Sequence, residues 1–188
     1  MFLKLNRDGK IKVHEVAGGN KQRVFIIKEE LSSPTVSTAA VLLSYVIDAH
    51  EHWDVANIDI LNAFIQTSVK KIEDMATIIV QETLVNVLVE IAPDIYGPYI
   101  RTDKKGVKTL NLRCRNAIYG TMVASLLYCN KIYNMIKHLG FKINPYDPCI
   151  GNWMIDDNHK PICWNVDDFN IKHVDPKVNN KLIKSLKQ

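Results

Sequence analysis

Apolar and polar residues alternate with period two over residues 2–6 (FLKLN) and 10–17 (KIKVHEVA), with Arg7-Asp8-Gly9 as turn chemistry between them. The pattern predicts a β-hairpin, and RVFIIK (23–28) reads as a further strand. The period then changes. Val36, Ala39, Ala40, Leu43, Val46 and Ile47 recur at three- and four-residue spacing after Leu31-Ser32-Ser33-Pro34. This predicts a helix to about residue 51, with serine as cap, proline in the first turn and one apolar face.

DVANIDI (54–60) and TIIV (77–80) read as strands, and VNVLVEIA (85–92) fits helix or strand. Residues 99–103 and 108–113, joined through Lys104-Lys105-Gly106, predict a hairpin. A helix over about 117–139 stops at Gly140. PYDPCIGNWMI (145–155) and KPICWNV (160–166) flank a polar turn at residues 156–159, and the tail from Asp175 is helical. The order predicts an α+β fold, helices packed on antiparallel strands. With no Pro/Gly/Ser linker, residues 1–188 read as a single unit.

Alternation also places chemistry. In residues 54–60, Ala56, Ile58 and Ile60 share one face, while Asn57 and Asp59 share the other. In residues 162–167, Ile162, Trp164 and Val166 share the apolar face, opposite Cys163, Asn165 and Asp167. If the two strands are neighbours, Asp59 and Asp167 converge, with Asp168 beside them at the bend. A bare cluster of three carboxylates repels itself, and divalent cations remove that cost. The alternative is that Asp167-Asp168 forms only a polar turn.

Charge and composition narrow the classes little. The 188 residues are 47% hydrophobic and 23% charged, with a net charge of +4, an ordinary globular balance. The ends are basic: Lys4, Arg7, Lys10, Lys12, Lys21, Arg23 and Lys28 oppose Asp8 and Glu15, and residues 171–188 hold five lysines against Asp175. A solvated face or a phosphate track would each explain this. Cys114, Cys129, Cys149 and Cys163 show no metal-ligand spacing, so reduced, packed thiols are expected. No apolar run approaches the roughly 18 residues of a membrane span, and early charges argue against a signal peptide. A cytoplasmic or nuclear protein, neither secreted nor in a membrane, is the expectation.

IDILNAFIQ (58–66), RNAIYG (115–120), GFKINPYDPCI (140–150) and WNVDDFNI (164–171) occur in the order and approximate spacing seen in copia-type retrotransposon reverse transcriptases. They resemble that family's D-V-K-N-A-F, K-S-L-Y-G, G-F-x-x-S-x-x-D-P-C and Y-V-D-D patterns. IKVHEVAGGNKQR (11–23) resembles its fingers stretch, and SSPTVS (32–37) the S-P-V-V before the first palm helix. The resemblance covers about residues 2–186. It implies a right-hand polymerase fingers-palm region, with residues 1–35 mainly fingers and 36–188 mainly palm, and the expectation is of a unit without thumb, RNase H or integrase.

The function implied is RNA-directed DNA polymerisation. Asp59, Asp167 and Asp168 match the catalytic aspartates that hold two magnesium ions, with manganese as a possible substitute. Phe64 matches the aromatic that excludes a ribose 2′-hydroxyl, although on sequence alone core packing is the better explanation of it, and Ala63 beside it allows close backbone approach. Lys12 and Arg23 fall where basic side chains face triphosphate or template. The implied partners are deoxynucleoside triphosphates and an RNA or DNA template with a DNA primer.

The departures are specific. Asn165 stands where the family has Tyr, Val123 where it has Gln, Leu126 where it has Arg, and His14 and Gly18 where arginines are usual. Each of the last four removes a polar or cationic contact to nucleic acid. The alternatives are therefore a truncated, inactive remnant with at most non-specific nucleic-acid binding, or an interaction protein with no nucleic-acid role.

Overall fold

The computed structural model describes residues 2–5, 9, 11–14, 16–19, 33–70 and 75–186. The chain is α+β with antiparallel sheets, as the pattern predicts. It forms two compact units, Met1–Val24 with Ile65–Ala124, and Phe25–Phe64 with Ser125–Gln188. All four cysteines are free. Among the described residues, no helix is long and apolar enough to cross a membrane.

In the first unit, β1 (Phe2–Leu5) pairs antiparallel with β2 (Ile11–His14), the hairpin that alternation predicts. The strand expected over residues 23–28 lies outside the described residues. A three-stranded sheet follows. Strand β4 (Thr77–Gln81) and the short β5 (Arg101–Thr102) both pair with β6 (Lys108–Arg113). The ambiguous stretch is helix α2 (Thr83–Ile91), which buries Val85, followed by the short helix α3 (Pro93–Tyr96).

The helix expected from residue 117 starts seven residues later, as α4 (Ala124–His138). The backbone before it is spent on long-range pairing. Ala117 N–H donates to Thr67 O at 2.8 Å, and Ala17 N–H donates to Tyr119 O at 2.8 Å. Gly120 sits at φ +87°, where a Cβ would come within 2.1 Å of Ala17 O. Only glycine fits that turn.

The second unit is built on a five-stranded antiparallel sheet in the order β3-β10-β9-β8-β7. Its strands are β3 (Asp54–Asp59), β7 (Lys142–Ile143), β8 (Ile150–Ile155), β9 (Asn158–Asn165) and β10 (Asp168–His173). The β8–β9 turn needs only Asp156 and Asp157, both at positive φ, the backbone of a tight two-residue hairpin. Ile162, Trp164, Phe169 and Ile171 form a core with Ile132 and Ile136 of α4 and Leu182 of α5 (Pro176–Leu186). A Cβ on Gly151 would stand 3.2 Å from Ile136 Cγ2 and 3.0 Å from Ile162 Cγ2, so glycine lets helix and strand approach closely.

Helix α1 (Thr38–Glu51) differs from expectation at its start and in its face. Ser37, not Ser32 or Ser33, is the cap: its Oγ accepts from Ala40 N–H at 3.2 Å. Its own N–H donates to Asp147 Oδ2 at 3.1 Å, from 110 residues away. The buried position is Asp48, ion-paired with Lys172 Nζ at 2.6 Å, whereas Leu43 and Val46 are 62% and 65% exposed. A buried charge pair, not the aliphatic stripe, turns this helix towards the sheet.

Candidate functional site

Asp59 ends β3 and Asp168 begins β10, and the two are direct cross-strand partners. Ile60 N–H donates to Asp167 O at 3.0 Å, so Ile60 and Asp167 form a hydrogen-bonded pair. Such pairs alternate with non-hydrogen-bonded ones along an antiparallel ladder. Asp59 and Asp168 are therefore a non-hydrogen-bonded pair, the type with its side chains closest, Cα atoms about 4.5 Å apart. The rung two residues on supports this: Asn170 Nδ2 donates to Asn57 Oδ1 at 2.8 Å, on the same face.

Sequence alternation expected Asp59 and Asp167 to converge from neighbouring strands, one of them running to residue 167, with Asp168 close by at the bend. The structure instead ends β9 at Asn165, and Val166 and Asp167 form a two-residue turn. That moves Asp168 onto β10 beside β3, with Asn165 as its partner on the other side. Asp167 is half-buried in the turn, opposite Ile60. Val166 has φ +56°. A β-branched residue there is strained by about 1–3 kcal/mol, tolerated where the surroundings overdetermine it.

Asp59, Asn165 and Asp168 thus make one row across three strands, and Asn57, Asn170 and Cys163 make the next. All six line an open groove of about 590 Å³, with Thr38, Val41 and Tyr45 of α1 on its wall. Beyond Asn170 on the same face comes Lys172, whose Nζ meets Asp48 and lies 5.1 Å from the Tyr45 ring centroid. The carboxylates of Asp59 and Asp168 are exposed, and the Asp48–Lys172 ion pair is buried. Burial pushes the Cys163 thiol up, partly offset by Lys172, so it keeps its proton beside Asn170 Oδ1 at 3.8 Å.

Behind the acids, Trp164 and Phe169 stack at 6.4 Å, fixing the hairpin that carries the turn. Ala63 is fully buried in the core, and Phe64 packs half-buried against it, its ring edge-on to Tyr128 at 5.5 Å. Neither lines the groove that Asp59 and Asp168 share. The backbone of Lys12 lies in β2, while its side chain, and all of Arg23, lie outside the described residues. Sequence reasoning missed Asn170 and Tyr45. Asn170 carries a signal, being polar at a strand position with the parity of Asp168.

Among the described residues, no three His, Cys, Asp or Glu side chains already stand together as a ligand set. The donors brought together are two carboxylates, Asp59 and Asp168, with the carboxamide of Asn165. They are hard oxygen donors. Magnesium is commonly held by one or two carboxylates plus substrate phosphates and water, so the donor set fits that ion. Comparison with protein-family models, with curated proteins and with solved structures returns no match.

Proposed function

We propose that the chain carries the catalytic region of an RNA-directed DNA polymerase of the copia retrotransposon type. The observation that carries the reading is the register: Asp59 and Asp168, from motifs far apart in sequence, are nearest cross-strand neighbours with exposed side chains beside the Val166-Asp167 turn. Like charges directly opposite each other are destabilising, a cost that a cationic ligand would relieve. Asp59 and Asp168 would hold magnesium, with Asp167 adjacent as the third carboxylate. Bound there, the ions would supply charge neutralisation for in-line nucleotidyl transfer from a deoxynucleoside triphosphate.

The chain's own contribution is positioning. The β3–β10 ladder sets the backbone positions from which the two carboxylates project, and the stacked Trp164 and Phe169 hold the turn from the core side. Phe64 stands five residues after Asp59, where the resemblance would have a ring act as a steric wall against a 2′-hydroxyl; here it packs on Tyr128 outside the groove, so its placement lends that role no support. Lys12 and Arg23 would contribute charge towards triphosphate or template.

The test is extension of a DNA primer on an RNA template in magnesium or manganese. Asp168→Asn and Asp59→Asn should each abolish extension, and an unaffected rate in either variant removes the mechanism. A second reading has its own support: Val123 and Leu126 replace polar positions, and Ala63 and Phe64 pack into the core rather than lining the groove. On that reading the chain is a non-catalytic remnant that binds nucleic acid in a salt-sensitive way. It predicts binding without extension under any metal.

A further inference from the structure

The rung behind the acidic pair is polar where a sheet face partly covered by a helix would ordinarily be apolar. Asn170 is 7% exposed, so its carboxamide is removed from water and must find partners in the protein. It finds one on each neighbouring strand. Its Nδ2 donates to Asn57 Oδ1 on β3 at 2.8 Å, and its Oδ1 takes the weak Cys163 thiol donor on β9 at 3.8 Å. Asn57 is exposed, so only one member of the pair is committed to burial.

The contact reads register. Side chains on one face repeat every second residue, so a slip that keeps the core inside must be by two residues. Such a slip would bring Asn170 opposite Val55, which has no acceptor, or opposite Asp59, which could still accept its N–H; either would part Asp59 from Asp168. An apolar pair at 57 and 170 would hold the strands together by packing but would discriminate poorly between these registers. A buried carboxamide left without its partner costs about 1–3 kcal/mol, which disfavours the slip towards Val55.

We infer that Asn170 is a positioning residue for the acidic pair, acting through Asn57 one rung away to hold Asp59 and Asp168 in the spacing that binds a divalent cation. This rests on the metal reading above. Residues that orient metal ligands, without touching the metal, commonly change its affinity by about 10–100-fold when replaced.

The experiment is Mn2+ binding to the full chain, followed by loss of the free-ion EPR signal, alongside urea denaturation of each variant. Asp168→Asn should abolish binding. Asn170→Leu and Asn57→Leu should each weaken it about tenfold or more, while Asn57→Asp, which keeps the acceptor, should not. Ile132→Val, a core change in α4, serves as the control that lowers stability without moving the affinity. If Asn170→Leu fails to fold, Asn57→Leu reads the same contact from its exposed side.

Loss in Asp168→Asn with unchanged affinity in both leucine variants overturns the positioning role and leaves the metal reading standing. So does a loss no larger than that of Ile132→Val. No Mn2+ binding by the unaltered chain, or undiminished binding by Asp168→Asn, overturns both.

Discussion

Replacing Asp168 by Asn removes one of two like charges that the β3–β10 register sets directly opposite each other, and changes almost nothing in size. In a non-hydrogen-bonded pair the Cβ atoms lie about 5 Å apart. Two unit charges at that distance repel by about 0.8 kcal/mol in water and by about 3 kcal/mol at the effective dielectric of a protein surface. Both side chains are exposed and can turn apart, which favours the lower figure. Screening at physiological salt, with a Debye length of about 8 Å, trims it only modestly. Without metal, Asp168→Asn should therefore be more stable than the unaltered chain by about 0.5–1 kcal/mol.

Urea denaturation in chelator and in millimolar magnesium measures this. Magnesium should stabilise the unaltered chain by mass action and leave the variant unmoved, so the ranking narrows or reverses. A variant less stable by more than about 1 kcal/mol in chelator would show that the two carboxylates do not oppose each other, and the reasoning from register would fail.

Lys160 offers a prediction independent of the site. Its amine is 1% exposed and donates to Asn179 Oδ1 at 3.1 Å. Burial lowers its pKa from 10.5 to about 8, with Asp54 pulling weakly the other way. Between those values the unfolded chain binds more protons than the folded one, so this group makes stability rise from pH 8 to 10.5 by up to about 3 kcal/mol. Cys149, pushed up by burial from 9.0 to about 12, acts in the opposite sense over its own range. The readout is therefore the stability of the unaltered chain minus that of Lys160→Met: it should become more positive across that window, and parallel pH–stability curves would refute it. Cys149 should resist iodoacetamide in the native chain at mildly alkaline pH and react on unfolding, since the thiolate is the nucleophile; native labelling detected by mass spectrometry would contradict its burial. Gly120→Ala should cost about 2 kcal/mol or more in urea denaturation, through its φ of +87° and the approach of Ala17 O; a neutral effect would show that the turn is not so packed.

What the sequence disclosed was whatever depends on neighbours along the chain. Alternation in DVANIDI placed Asp59 and Asn57 away from the core, where the strand has them. What it withheld depends on partners far away. Ser37 takes the cap from Ser33 because Asp147 catches its backbone N–H. Residues 117–123 are kept out of α4 because Thr67 and Ala17 claim their backbone groups. Asp48 defines the buried side of α1 only because Lys172 waits opposite it. The hairpin at Val166 carries no glycine to announce it, so alternation ran past the turn and put Asp167 on the strand, with Asp168 at the bend, where the structure has the turn at Val166-Asp167 and Asp168 opposite Asp59. The correction keeps the convergence and exchanges its nearest member.

Diffraction from crystals soaked in Mn2+, collected for anomalous signal, addresses the acidic pair without relying on turnover. The account predicts a peak within about 2.0–2.3 Å of carboxylate oxygens from both Asp59 and Asp168. Density elsewhere on the chain with none between these two residues would contradict it.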